Sequence, residues 1–199
     1  MPARFVYWMN TSLDGFIEAR PGSEPDDGAP EWLRIDEQFH RFCNERVAAM
    51  TMLVEGRVLH DMMDPFWPDA RTDASLPDWM RAYGEVWTAL PKVLVSRSRT
   101  AADHGTTVVG EDAIARLATI RAESEGTIGV GGADLATQLL AAGLLDELVL
   151  FTHPALLGAG RPLFDSPAEA VRQPLLLDLL EDRTFDSGVT FHRYAILRR

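Results

Sequence analysis

The chain holds one cysteine, Cys43, among 199 residues. A lone thiol closes no internal disulfide, so stability has to come from burial, and the composition fits a reducing compartment. Long apolar runs are also missing: no stretch of about 18 apolar residues, the length that spans a bilayer core, occurs anywhere. The opening residues MPARFVYWMNTSLDG lack the apolar core of a secretory signal. The expectation is a cytoplasmic protein with no membrane partner. Positive charge is scarce, with 19 Lys and Arg against 30 Asp and Glu and a formal net charge of -11. Such a field repels a phosphate backbone, and no basic stripe interleaved with aromatics offsets it, which argues against nucleic acid. The five histidines are scattered and no metal-ligand cluster or Ser-His-Asp triad stands out, so no metal is expected.

What is present is an ordinary globular mixture, 46% hydrophobic and 25% charged. A chain of this length buries roughly 70% of the surface its unfolded form exposes, enough for one sizeable core. No internal repeat, low-complexity tract or hydrophilic linker separates two halves, so residues 1–199 read as one domain.

The run from Phe5 to Met9 is aromatic and β-rich and breaks at Asn10-Thr11-Ser12 and Asp14-Gly15, a first strand entering a loop. Residues 20–30 are turn-rich and aperiodic, a loop that either borders a functional cleft or simply covers surface. Pro30 suits the first position of a helix, and Trp32, Ile35, Phe39, Phe42 and Met50 then give one apolar face to about residue 50. TMLVEG reads as a strand, RVLHDMM as a short helix, DPFWPD as an aromatic loop, and Pro77 to about Ala89 as a second long helix. KVLVS, TTVVG, TIGVGG and ELVLFTH are further strands, with the helical patterns EDAIARLATIRAE and ADLATQLLAAGLL between the later ones. Strands alternating with helices imply an α/β fold with a mainly parallel sheet covered on both faces. TFDSG followed by VTFHRYAIL adds an antiparallel hairpin turning at Ser187-Gly188.

Three junctions carry chemistry. Strand TIGV runs into Gly131-Gly132 and a helix from about Ala133, so free amides and the positive end of a helix dipole converge where glycine lets a phosphate approach. The same turn without a ligand is the plain alternative. A dinucleotide fingerprint of the Rossmann kind, using Gly129, Gly131 and Gly132, fails because Asp134 holds the third glycine position and the turn comes late. Gly56-Arg57 follows another strand, and Arg57 there can donate to a pyrophosphate or serve as a surface arginine. Ser96-Arg97-Ser98-Arg99 follows a third strand, a local reversal of sign that suits a dianionic phosphate or a solvated loop. Several anion-ready strand ends along one sheet edge are what a dinucleotide needs.

The ordered set Ser12-Leu13-Asp14-Gly15, Gly56-Arg57, Val95-Ser96-Arg97, Gly131-Gly132, Gly143-Leu144-Leu145-Asp146-Glu147, Pro154 and Leu157-Gly158-Ala159-Gly160 with Leu163-Phe164 resembles the riboflavin-biosynthesis reductase (RibD C-terminal) domain family from residue 4 to about 197. That resemblance implies a three-layer αβα dihydrofolate-reductase-like fold with a central mixed, mainly parallel sheet and NADPH as cofactor. It implies phosphate contacts from Gly56, Arg57 and Val58 on one side and Gly131, Gly132 and Ala133 on the other. Ser96, Arg97 and Ser98 would meet the adenosine 2′-phosphate, which favours NADPH over NADH. Leu59 and His60-Asp61 depart from the family's usual Thr and Tyr-Glu. Asp14 and Gly15 resemble the loop where nicotinamide and substrate meet, with Asp14 able to bind substrate or simply to form a turn. Trp67 either walls the cleft or fills the core.

Asp36, His40 and Asn44, at i, i+4 and i+8, form a polar stripe on the first helix, where Asp36 or His40 could donate a proton; a solvated helix edge is the alternative. The zinc deaminase found in some riboflavin enzymes is not expected, because Cys43 stands alone. The resemblance implies reduction of a small polar heterocycle, most specifically 5-amino-6-(5-phosphoribosylamino)uracil. A pterin or dihydrofolate-like substrate, or a non-catalytic NADPH-binding protein, is the alternative. The family also implies a homodimer.

Overall fold

A computed structural model describes residues 1–22, 30–165, 171 and 173–198. Ten strands and six helices occur among them: β1 (Arg4–Ser12), β2 (Phe16–Ala19), α1 (Glu37–Ala48), β3 (Met52–Gly56), α2 (Arg57–Met63), α3 (Trp67–Ala70), α4 (Asp78–Ala89), β4 (Lys92–Val95), β5 (Thr106–Val109), α5 (Ala113–Glu123), β6 (Thr127–Gly131), α6 (Ala133–Ala141), β7 (Leu145–His153), β8 (Gly160–Pro162), β9 (Leu177–Thr184) and β10 (Thr190–Ile196). Eight strands form one sheet in the order β5-β4-β3-β6-β1-β7-β10-β9, and β2 pairs with β8 in a small second sheet. From β5 to β7 every pairing is parallel, while β10 runs antiparallel to both β7 and β9. The α/β class, the mainly parallel sheet and the closing antiparallel hairpin are therefore as expected.

Alternation along the strands explains the two helical layers. On β1, Phe5 and Tyr7 face one core with Val54, Ile128, Val130, Leu135 and Leu139, which seats α6. Val6 turns to the other face, toward Phe39, Phe42 and Phe151, which seats α1. Gly129 belongs to this packing: a Cβ there would lie 2.7 Å from Met50 Sδ and 3.0 Å from Leu53 Cδ2. Its glycine is a requirement of close packing in mid-strand against Met50, just past α1, and Leu53 of β3, so the Rossmann reading of this run has no geometric basis.

Several boundaries differ from the sequence pattern. The first helix begins at Glu37, seven residues after Pro30, because Asp36 caps it, its Oδ1 accepting the Phe39 amide at 2.8 Å. Trp32 lies ahead of the helix in a turn, yet buries against His153 at 5.6 Å between ring centroids. DPFWPD contains the single turn α3. The β2–β8 ribbon was not anticipated, since GRP and FIEA are too short to stand out by alternation. Of the loop at 20–30, residues 23–29 lie outside the described residues.

His153, fully buried at the end of β7, ties this region together. Its Nδ1 accepts the Arg34 amide at 2.9 Å, so Nε2 carries the proton and donates to Asn10 Oδ1 at 2.9 Å. Burial pushes its pKa from 6.5 down to about 4. The unfolded chain therefore binds a proton that the folded chain refuses, and the stabilising difference, complete above pH 6.5, is lost as pH falls toward 4. By pH 5 the loss amounts to about 2 kcal/mol. Urea unfolding at pH 7 and pH 5 should show it, and His153→Leu, whatever its own stability, should flatten that difference.

Candidate active site

The sheet ends build a continuous cleft of about 1070 Å³. It runs along the C-terminal side of five adjacent parallel strands, lined by Met9 within β1, Gly132 after β6, Gly56 at the end of β3, Ser96 after β4 and Gly110 after β5. Four strand spacings of about 4.8 Å make it roughly 19 Å long. Ligands of open α/β sheets bind at this edge.

Three helices start at the cleft: α2 after Gly56, α5 after Asp112 and α6 after Gly132, and none has a capping side chain on its first amides. First-turn N–H groups without intrahelical partners seek an acceptor, and an anion supplies one with the dipole in its favour. Gly132 has φ +110, and a Cβ there would stand 3.6 Å from the Gly56 Cα and N, so the β3 and β6 junctions almost touch. At Gly131 a Cβ would meet Leu59 Cδ2 at 2.2 Å. The glycines thus let strand, helix and neighbouring strand end approach closely where α2 and α6 begin, an arrangement whose free first-turn amides suit an anion such as a pyrophosphate.

Arg57 and Arg97 line the same cleft. Arg57 Nη1 is paired to Asp61 Oδ2 at 2.8 Å, and Arg99 Nη2 reaches Asp61 Oδ1 at 2.5 Å. Asp61 is slightly desolvated, but donation from Arg57 and Arg99 outweighs that and holds its carboxyl below the usual range. Arg97 is exposed and makes no ion pair with a described residue. Ser96 shapes its loop: its buried Oγ accepts the amides of Ser98 at 3.3 Å and Arg99 at 3.1 Å.

Behind β3, the buried Glu55 pairs with His60 Nδ1 at 2.8 Å and accepts Trp87 Nε1 at 3.0 Å. His60, one of the departures from the family pattern, therefore clamps α2 back onto its own strand and fixes where the Gly56–Val58 amides point.

Of the residues singled out from sequence, the fold brings Gly56, Arg57, Val58, Ser96, Arg97, Ser98 and Gly132 into this one cleft. Gly131 and Ala133 lie buried just beneath it. The expected proton donors do not gather there. Asp36 is occupied as the α1 cap. His40 is buried between α1 and α4, its Nδ1 bonded to Asn44 at 2.9 Å and its ring against Trp79, Tyr83 and Trp67; burial lowers its pKa. The i, i+4 stripe is a helix–helix contact, because Asn44 continues it by donating to the Trp79 carbonyl. Trp67, half-buried, is part of the same packing, with Tyr83 at 4.4 Å, and does not line this cleft.

Asp14 works as a latch. Its carboxylate accepts Ser12 Oγ at 2.6 Å and the amides of Leu157 at 3.1 Å and Gly158 at 2.8 Å, which ties the β1–β2 turn to the loop before β8. The Ser12 hydroxyl first, then those amides, hold its carboxyl below the ordinary value. Gly15, at φ +85, serves the same turn and receives the Leu163 amide on its carbonyl.

Sequence reasoning missed two parts of the cleft. Gly110 to Ile114 line it after β5, and the strand-Gly-helix signal of TTVVG followed by EDAIA is the one used at the other junctions. Ile17, Glu18 and Arg161 close its β1 end from the small ribbon, which had no legible signal. Gly160 is what allows that ribbon to form, since a Cβ there would lie 1.9 Å from the Glu18 carbonyl oxygen. No group of three or more His, Cys, Asp or Glu among the described residues is arranged to hold a metal.

The family model described as the RibD C-terminal domain matches residues 5–191. The chain belongs to that family. Among curated proteins, the RibD C-terminal chain is 27% identical over 189 residues to the uncharacterized protein YyaP of Bacillus subtilis (strain 168), covering 94% of this chain and 91% of that one. A candidate riboflavin biosynthesis protein of Shewanella sp. PV-4 superposes with TM-score 0.67 at 22% identity, covering 100% of both chains. Dihydrofolate reductase of Enterococcus faecalis, in complex with NADP(H), superposes with TM-score 0.60 at 14% identity over 98% of this chain and 97% of that one. The fold is dihydrofolate-reductase-like.

Proposed function

We propose that this RibD C-terminal domain protein is an NADPH-dependent reductase that delivers hydride to a small polar heterocycle held at the β1 end of the cleft. The observation that carries the reading is the alignment of three uncapped helix starts with Arg57 and Arg97 along one strand-end groove. NADPH would supply the hydride, and the chain's residues supply orientation and electrostatics. The α2 and α6 amides would hold the pyrophosphate, and Arg97 with the Ser98 hydroxyl the 2′-phosphate. This lays the nicotinamide toward Met9 and Ile17. The Enterococcus faecalis enzyme, which has NADP(H) bound, supports the cofactor. We place the protein in the cytoplasm, where its buried Cys43 stays reduced; no helix of the described residues is long and apolar enough to cross a membrane.

Anaerobic incubation with NADPH and either 5-amino-6-(5-phosphoribosylamino)uracil or a dihydropterin tests the reading through loss of NADPH absorbance. Turnover of one of them is the expected result. Tight NADPH binding without turnover of any would leave a non-catalytic NADPH-binding protein, and failure to bind NADPH would overturn the proposal.

We also propose a homodimer formed across β9. This strand ends the sheet, and Leu177, Leu179 and Leu180 are exposed on it. An exposed edge strand carrying apolar side chains suits continuation of the sheet into a second copy about a two-fold axis. Light scattering should give about 44 kDa, twice the 22.1 kDa of one chain, and a mass of one chain at micromolar concentration would reject the dimer.

A further inference from the structure

The β1 end of the cleft carries a charge arrangement unlike the rest. Glu18 and Arg161 are register partners across the β2–β8 ribbon, so their side chains stand on the same face, and both line the cleft. Arg161 Nη2 donates to Asp165 Oδ2 at 2.9 Å, and its Nη1 lies 3.5 Å from Glu18 Oε1. Asp165 first, and Glu18 after it, keep the guanidinium firmly charged. The trio has one cation and two carboxylates, a formal charge of minus one. The Glu18 side chain is half exposed, with its second oxygen unpartnered in the described structure, while Arg161 keeps Nε and part of Nη1 for a further acceptor. The Tyr7 phenol just below is no rival donor, because it is committed to the Leu163 carbonyl at 2.8 Å.

A guanidinium beside a carboxylate presents donors and an acceptor side by side. Their complement is a flat edge carrying an adjacent carbonyl and N–H, as in the lactam of a pyrimidine or pterin ring. A phosphate fits poorly: the one cation is already held by Asp165, and Glu18 and Asp165 would repel it.

We propose that Glu18 and Arg161 recognise the lactam edge of an uncharged heterocycle, and that the β1 end selects a ring without a phosphate. This rests on the reductase reading above and sets its substrate class. Arg161 donates to the ring carbonyl, and Glu18 accepts from the ring N–H. Asp165 is a positioning residue that holds the guanidinium in plane.

The test uses isothermal titration of the full chain, with and without saturating NADPH, using three probes: pterin, 5-amino-6-(ribosylamino)uracil and the 5′-phosphate of the latter. The unphosphorylated rings should bind at least as tightly as the phosphate ester. Glu18→Gln should weaken them tenfold or more and leave NADPH affinity unchanged. Asp165→Asn should shift preference toward the phosphate ester by several-fold, a change that a purely structural role would not produce. Tighter binding of the phosphate ester to the unaltered chain, indifference to Glu18→Gln, or no binding of any ring would each overturn the proposal. The NADPH titration alone reports on the cofactor reading, so the two fail separately.

Discussion

Gly132→Val is expected to weaken NADPH binding by about 100-fold or more. Two separate costs meet at this position. The backbone has φ +110, which side-chain-bearing residues rarely adopt, so the substitution strains the fold itself by about 1–3 kcal/mol. The valine Cβ has room, at 3.6 Å from the Gly56 Cα and N, but its two methyl groups have to occupy the opening between the β6 and β3 junctions. That opening is where the first amides of α6 face the cleft without a capping side chain. Losing one or two amide contacts to a charged phosphate, each about 1.5–3 kcal/mol, accounts for the binding loss. Gly132→Ala separates the two costs: it keeps the strain, read as a lower urea midpoint, and should lose much less affinity. If valine lowers stability and leaves NADPH affinity within a few-fold, the phosphate does not sit at this junction.

Arg97→Ala should weaken NADPH binding roughly 10- to 150-fold, the equivalent of about 1.5–3 kcal/mol for a hydrogen bond to a charged group, and leave NADH almost untouched. The structure adds two reasons to the sequence argument. Arg97 lines the cleft and is not engaged in any ion pair with a described residue, so no internal bond has to break before it meets a phosphate. Arg57 and Arg99 share Asp61 and would have to loosen that carboxylate first. The Arg97 loop owes its shape to Ser96 Oγ, and the substitution leaves that hydroxyl and its two amide contacts in place. Salt should weaken NADPH binding less in the variant than in the unaltered chain, because an exposed ion pair is screened. Equal losses for NADPH and NADH would mean that Arg97 only supports the loop.

The fold was legible where a pattern had length and punctuation. Three of the parallel strands, β3, β5 and β6, run as short apolar segments into Gly, and the closing hairpin announces its turn at Gly188, which has φ +83. The Gly56-Arg57 and Gly131-Gly132 parts of the cleft were legible for the same reason, since each belongs to a strand-Gly-helix junction, and Ser96-Arg97-Ser98 was legible as a local reversal of charge after β4. The proton donors were misjudged because spacing on a helix says which side chains share a face and not what that face meets. His40 and Asn44 do share a face, and it packs on Trp79 and Tyr83 of α4, while Asp36 is the cap ahead of it. Asp14 lies in the loop after β1, but its amide partners come from Leu157 and Gly158, more than 140 positions away in the chain. Glu18 and Arg161 were invisible for a like reason: a three-residue strand pairing across 143 positions leaves no local trace.

The most direct test of the account is a pair of fluorescence titrations of the purified chain, one with NADPH and one with NADH, at physiological salt. The cleft and its Arg97, unpaired among the described residues, predict saturable binding of both, with NADPH tighter by at least about tenfold. Binding of NADH as tight as that of NADPH, or no saturable binding of NADPH, would contradict it.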